Sequence, residues 1–386
     1  MHIADRMQLI QPFHVMALLA RARELEAGGR SIVHMEIGEP DFVTPQPVID
    51  AGMAALASGQ THYTPATGLP ALRERIAAFY RERYGTTVDA ARIVVTPGAS
   101  AALQLVMSIL VNPGERVLMA DPGYPCNRNF VHLLNGRPAG IPVGPDAGYQ
   151  PTLQQIEEYW DEDTVALLVA SPSNPTGTVL DNHTLRAYHD AVSQRGGALV
   201  VDEIYHGLTY DMQVDTALGI ADEIMVVNSF SKYFGMTGWR LGWVVVPDEC
   251  VAAIDKLAQN LFLAAPTVSQ HAALSAFDAD NIAILEARRE EFRRRRDFLL
   301  PALRELGFDI PVTPQGAFYL YAGCGRFTDD SYAFSLALLE QAGVAITPGI
   351  DFGSYEPGRH VRFAYTTSLE QLEEGVSRLA GFLETR

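Results

Sequence analysis

The chain contains only two lysines, Lys232 and Lys256, so chemistry that needs a primary side-chain amine has two candidates. Lys232 stands in Ser229-Phe-Ser-Lys232, directly after an apolar run, and is followed by Gly235-Met-Thr-Gly-Trp-Arg240. Its apolar neighbours Phe230, Tyr233 and Phe234 disfavour the charged form by desolvation, and an unprotonated amine attacks carbonyls. Ser229 and Ser231 share one face of an extended segment, and Arg240 adds a planar fork that binds anions. Amine, hydroxyls and guanidinium together suggest an aldehyde that carries a phosphate. Lys256 lies beside Asp255 in an amphipathic stretch without such company and reads as a solvated helix residue.

Three further motifs have the same character. In Val200-Val-Asp-Glu-Ile-Tyr205 an apolar run delivers Asp202 and then Tyr205. A buried aspartate there is costly unless it meets a cation or donors. A protonated ring nitrogen is such a partner, and a tyrosine hydroxyl can bond a ring oxygen. Ser171-Pro-Ser-Asn-Pro-Thr-Gly177 is a stiff loop that holds the Asn174 amide. Thr96-Pro-Gly-Ala-Ser100 leads into a helix whose free amide groups, with the Ser100 hydroxyl, can take a phosphate. No Gly-Lys-Ser/Thr follows, so this is not a nucleotide P-loop. Each motif alone also has an ordinary structural use: a capped turn at Asp202, a plain Asn-Pro turn, a capped helix start, a solubilising surface lysine.

Short β-branched runs at 93–95, 116–119, 165–170, 198–201, 224–228 and 241–246 alternate with helical patterns at 69–83, 99–111, 180–194 and 249–261. This alternation predicts an α/β fold, a large domain with a mostly parallel central sheet sandwiched by helices. Ligands of such sheets collect at the carboxyl ends of strands, where all four motifs fall. The chain's last part differs, with a long helix at 281–306, strands at 318–321 and 360–365 and a final helix at 369–383, which predicts a smaller α+β domain. An N-terminal helix at 14–27, closed by Gly28 and Gly29, fits against either part. The expected division is 45–278 for the large domain, and 1–44 with 279–386 for the small one.

Of the 386 residues 48% are hydrophobic and 19% charged, with 29 basic against 46 acidic side chains and a net charge of −17. This is the composition of a globular protein, and the acidic balance disfavours nucleic acid and anionic membrane surfaces as partners. The arginine run of Arg288, Arg289 and Arg293 to Arg296 is interrupted by Glu286, Glu290 and Glu291 at helical spacing, which predicts a solvated helix face carrying ion pairs. Cys126, Cys250 and Cys324 have no paired spacing, and neither have His14, His62, His183, His189 and His206. Zinc, other metals and a disulfide framework are therefore not expected, and the expected location is a reducing cytoplasm. The apolar stretch 15–20 is shorter than a signal-peptide core of about 7–15 residues, and no apolar run approaches the ~18 of a membrane span.

The order Asn174, Asp202, Tyr205, Lys232, Arg240, Arg362 resembles that of the fold-type I, pyridoxal-phosphate-dependent aminotransferases of classes I and II, the aspartate aminotransferase-like group. The likeness extends from Gly38-Glu-Pro-Asp41 to Arg362. It implies pyridoxal 5'-phosphate as cofactor, with Lys232 as the Schiff-base lysine that also moves the substrate proton, and Asp202 as the partner of the pyridine nitrogen. It also implies Tyr205 and Asn174 on the ring oxygen, and a phosphate cup of Ala99, Ser100, Ser229, Ser231 and Arg240, with Gly98 allowing close approach. Tyr124, in Pro122-Gly-Tyr-Pro125, resembles the residue stacked on the ring, and Tyr63 the residue that reaches the phosphate across a subunit boundary. Arg362 resembles the arginine that grips the substrate α-carboxylate, with the Gly38 backbone closing on the same group. Gly316-Ala-Phe-Tyr319 fits a strand motif of the family, its aromatics read as packing.

The implied activity is transfer of an amino group from an L-amino acid to a 2-oxo acid by a homodimer with shared sites. The alternatives are a carbon–sulfur β-lyase on the same scaffold and a regulator that senses the cofactor without catalysis. The latter carries a DNA-binding domain ahead of this region, and only 37 residues precede Gly38. Phe13, His14 and the helix that follows are candidates for the substrate side-chain pocket.

Overall fold

A computed structural model of the protein describes residues 1–385. Its central sheet has seven strands: β2 (Ile93–Thr96), β3 (Arg116–Asp121), β4 (Arg137–Pro142), β5 (Thr164–Ala170), β6 (Ala198–Asp202), β7 (Met225–Ser229) and β8 (Gly242–Val245). Their order is β2-β8-β7-β6-β5-β3-β4, parallel throughout except for β8, which runs antiparallel to both neighbours. The central strands carry almost unbroken apolar runs because helices cover both faces of the sheet. Val95, Leu167, Val201, Val226 and Trp243 face one apolar core, while Val94, Leu168, Val200, Val227 and Val244 face the other.

β4 was not apparent from sequence. It contains Pro138, Gly140 and Pro142, residues that weaken a strand, and they are tolerated because β4 is an edge strand paired only with β3. The expected helices are present, and Gln46–Ala57 and Pro125–Leu133 are additional to them. Pro70 opens Pro70–Tyr84, whose end is turned by Gly85 at φ 67°. The helix His14–Ala27 ends at Gly28, with Gly29 at φ 86°.

A second sheet, β11 (Thr347–Pro348), β12 (His360–Ala364) and β9 (Tyr319–Gly323), is antiparallel. The N-terminal segment joins this part of the molecule: β1 (Val33–His34) pairs with β10 (Val344–Ala345) in parallel. The start of His14–Ala27 is also held there, by a carboxylate far away in sequence. Asp351 accepts the His14 and Val15 N–H groups at 2.8 and 2.9 Å, which satisfies two free helix donors and sets a negative charge at the positive end of the dipole.

The arginine run corrects one expectation. Arg294 is exposed and pairs with Glu291 at 2.9 Å, but Arg295 and Arg296 are buried. The helix Ala279–Glu305 turns these two against neighbouring loops, where Arg295 meets Asp41 at 2.8 Å and Arg296 meets Asp211, while Asp297 of the same helix also pairs with Arg296. They clamp loops rather than line a solvated face.

Candidate active site

The catalytic candidates gather because their strands end together. β6 ends on Asp202, β7 on Ser229 three residues before Lys232, and β2 on Thr96 just before the Gly98 turn. At this edge a cavity of about 270 Å³ is lined by Gly38, Ala99, Ser100, Tyr124, Asn174, Asp202, Tyr205, Ser229, Ser231, Lys232, Arg240 and Arg362.

Lys232 Nζ donates to the Gly38 carbonyl at 2.6 Å and lies 5.8 Å from the ring centres of Tyr205 and Phe318. Burial, reinforced by the Arg362 charge, lowers its pKa to about 8. Asp202 is 5% exposed and accepts one hydrogen bond, from the Ile204 N–H at 3.0 Å. Burial raises its pKa to about 6, against the opposing effects of that hydrogen bond and of Lys232. Among the described residues no cation stands within ion-pair distance of Asp202.

Arg362 has the complementary deficiency. Its Nη1 donates to Asn174 Oδ1 at 2.8 Å and its Nη2 to the Glu36 carbonyl at 2.7 Å, while its guanidinium carbon sits 4.1 Å from the Tyr319 ring centre. The buried Nε has no acceptor, and no carboxylate pairs with this arginine among the described residues. A buried, unpaired guanidinium with a free N–H beside a cavity is suited to a carboxylate ligand.

The remaining polar groups form a cradle at the sheet edge. Gly98, at φ 81°, lets the chain turn into the helix Ala99–Leu110, and a Cβ there would meet Arg240 Nη2 at 2.5 Å. A Cβ on Gly242 would meet the Ala99 nitrogen at 2.7 Å. The glycines thus admit close packing of the helix start, Arg240 and the β7–β8 strand ends. The Ser231 N–H donates to Ser229 Oγ at 3.0 Å, and Arg240 Nη1 lies 3.5 Å from Ser231 Oγ. Helix amides, hydroxyls and a guanidinium so grouped are able to hold a phosphate.

All residues expected at the site from the sequence come together except Tyr63, which is 83% exposed and outside the cavity. Phe13 and Val15 line the cavity; His14 instead bonds Asp351 through Nδ1 at 2.8 Å. Tyr319 is a further correction. It lines the cavity, bonds the Tyr205 hydroxyl at 2.8 Å and lies under Arg362, so it is more than packing. Thr347, Asp351 and Phe352 also line it, from a segment with no local signal of function. Among the described residues no group of His, Cys, Asp and Glu could hold a metal, and no helix is long and apolar enough to cross a membrane.

The donor set fits pyridoxal 5'-phosphate: a buried carboxylate awaiting a cation, an amine of lowered basicity, and a phosphate cradle that a single methyl group would obstruct. Residues 30–379 match the family model described as aminotransferase class I and II. The chain is 39% identical over 389 residues to the valine–pyruvate aminotransferase of Mycobacterium tuberculosis, with 100% of both chains covered. It is 36% identical over 384 residues to the (5-formylfuran-3-yl)methyl phosphate transaminase of Methanocaldococcus jannaschii, with 99% of each covered. The crystal structure of an aminotransferase from Mycobacterium tuberculosis superposes with a TM-score of 0.96 at 39% identity over 100% of both chains. These three are named as transaminases or aminotransferases, which leaves the lyase and regulator readings without support. The chain belongs to the class I and II aminotransferases and is a pyridoxal 5'-phosphate-dependent enzyme that transfers the amino group of an L-amino acid to a 2-oxo acid.

Proposed function

We propose that Lys232 is the catalytic lysine, holding the cofactor through Nζ in the resting enzyme and moving the substrate Cα proton once Nζ is freed. The observation that carries this reading is the position of an amine of lowered basicity in one cavity with an unpaired buried carboxylate, Asp202, and an unpaired buried guanidinium, Arg362. When bound, pyridoxal 5'-phosphate supplies an aldehyde for amines and an electron sink for the carbanion at Cα. Asp202 would hold a proton on the ring nitrogen, and Tyr205 with Asn174 would bond the ring oxygen. Arg240, Ser229, Ser231, Ser100 and the Ala99 amide, opened by Gly98, would hold the phosphate, and Tyr124 would pack on the ring.

Arg362 and the Gly38 backbone grip the substrate carboxylate. Gripped there, the substrate Cα–H bond would be held near Nζ, the group that would take its proton. Asn174 is already bonded to Arg362, which ties the ring-oxygen contact to the substrate grip. Both half-reactions use this one site, and Nζ returns the proton in each.

The same reading makes the enzyme a homodimer in which Tyr63 reaches the phosphate of the second copy; its 83% exposure on its own chain supports this. Three free cysteines are consistent with a reducing cytoplasm. We take 45–278 as the cofactor-binding domain and 1–44 with 279–386 as the second, a division supported by the β1–β10 pairing.

The test is Lys232→Ala. It should lose the visible absorbance of lysine-linked cofactor and slow turnover by roughly 10²-fold or more. Retention of both properties would overturn the assignment. A panel of amino donors against pyruvate and 2-oxoglutarate, followed by the spectral change of each half-reaction, then identifies the substrates.

A further inference from the structure

Tyr319, on β9 of the small sheet, touches three separate parts of the site. Its hydroxyl lies 2.8 Å from that of Tyr205, and both side chains are buried, at 1% and 4% exposure. Its ring supports the Arg362 guanidinium at 4.1 Å. Its hydroxyl also occupies the place a side chain at Gly38 would take, since a Cβ there would lie 2.2 Å from the Tyr319 oxygen. Gly38 is the residue whose carbonyl accepts Lys232 Nζ.

The two phenols have one proton each and share one hydrogen bond. Both tyrosines line the cavity, but the Gly38 backbone packs against the Tyr319 oxygen, so if Tyr205 donated to Tyr319 the Tyr319 proton would face that backbone, where no acceptor bonds it among the described residues. If Tyr319 donates, its proton is satisfied and the Tyr205 proton is left for the cavity that Tyr205 lines. The second arrangement satisfies both groups once a ligand oxygen faces Tyr205. A donor on the Tyr205 oxygen also makes Tyr205 itself the stronger donor, as in any hydrogen-bonded chain.

We propose that Tyr319 is a positioning residue of the transamination: its hydroxyl donates to Tyr205 and so directs the Tyr205 proton at the cofactor's ring oxygen, while its ring carries Arg362. One side chain thereby couples the cofactor contact to the substrate grip. This inference rests on the reading of Tyr205 given above.

The experiment is a pH titration of the visible absorbance of the cofactor-loaded enzyme, read without turnover. A hydrogen bond to the ring oxygen stabilises its negative charge and leaves the lysine-linked nitrogen less basic. Tyr319→Phe keeps the ring and removes only the hydroxyl. It should raise the titration midpoint by roughly half to one pH unit and lower kcat more than it raises KM for the amino donor. Tyr205→Phe should raise the midpoint further, and Tyr205→Phe with Tyr319→Phe should match Tyr205→Phe alone, because Tyr319 acts through Tyr205. A midpoint that moves in Tyr205→Phe but not in Tyr319→Phe, or two shifts that simply add, overturns the role of Tyr319. A midpoint unmoved by Tyr205→Phe removes the reading of Tyr205 itself and with it this inference.

Discussion

Asp202, Lys232 and Arg362 are each withdrawn from water without a full counter-charge of their own, at a cost that a fold tolerates where ligands complete the pairing. Their chemistry follows from that incompleteness. Burial moves the Asp202 pKa up to about 6 and the Lys232 pKa down to about 8, each toward its neutral form, and a bound cation or carbonyl reverses that bias. The sign for Lys232 gives a direct prediction. Its reactive form is the neutral amine, so cofactor uptake by the cofactor-free protein should accelerate about tenfold from one unit below to one unit above its pKa and then level off. Stopped-flow absorbance after mixing with pyridoxal 5'-phosphate measures this, and a rate that falls with rising pH would contradict it. The amine and its two serines were legible because they follow a strongly apolar run. Tyr319 was not legible as a site residue, since a Gly-Ala-Phe-Tyr strand packs its aromatics in the same way wherever it lies.

The elements contribute precise termini and close approaches. The cradle depends on Gly98, where a side chain would meet both a left-handed backbone and the Arg240 guanidinium. Gly98→Ala should therefore weaken cofactor binding roughly tenfold or more, with a stability loss of about 1–2 kcal/mol from backbone strain. Equilibrium dialysis and thermal melting separate the two effects. β1 supplies a different kind of control. His34 bonds the fully buried Glu36 at 2.7 Å through Nδ1 and Glu26 at 3.1 Å through Nε2, while the Glu36 carbonyl accepts Arg362. The Glu36 hydrogen bond is the largest cause that raises the His34 pKa to about 9. Because this value lies above the ordinary 6.5, the folded state binds the extra proton; the stabilisation is complete below about pH 6.5 and is lost as pH rises through about 9. The melting temperature should fall across that window, and His34→Gln should flatten the fall while costing about 1–3 kcal/mol at neutral pH.

At the scale of the whole molecule the site joins segments from the entire chain. Lys232 reaches Gly38 across 194 residues, Arg362 reaches Asn174 across 188, and Tyr205 reaches Tyr319 across 114. The large sheet and the small antiparallel sheet therefore each supply part of one cavity. The proposed role of Tyr63 in the site of a second copy, in keeping with its exposed ring, gives a prediction at this scale. Tyr63→Ala should leave sedimentation as a two-chain species unchanged while cofactor dissociation quickens about tenfold, the worth of one good hydrogen bond. An active single-chain species would contradict the shared site.

The reaction class came through the likeness of the motif order to the class I and II aminotransferases, while the α/β architecture and the polar residues that follow the strands were legible in the sequence itself. Those signals are local: apolar runs set strands, periodicity and Pro70 or Gly28 set helices, and the chemistry sits immediately after. The tertiary structure decided what local pattern does not encode. Prolines hid β4 until its place at an edge was known, Arg295 and Arg296 became buried clamps through loops distant in sequence, and Asp351 capped a helix 337 residues away. The pairing of Tyr205 with Tyr319 belongs to the same class. Such contacts arise from packing between segments that carry no shared motif, and side-chain type alone does not say which distant partner will share a cavity wall.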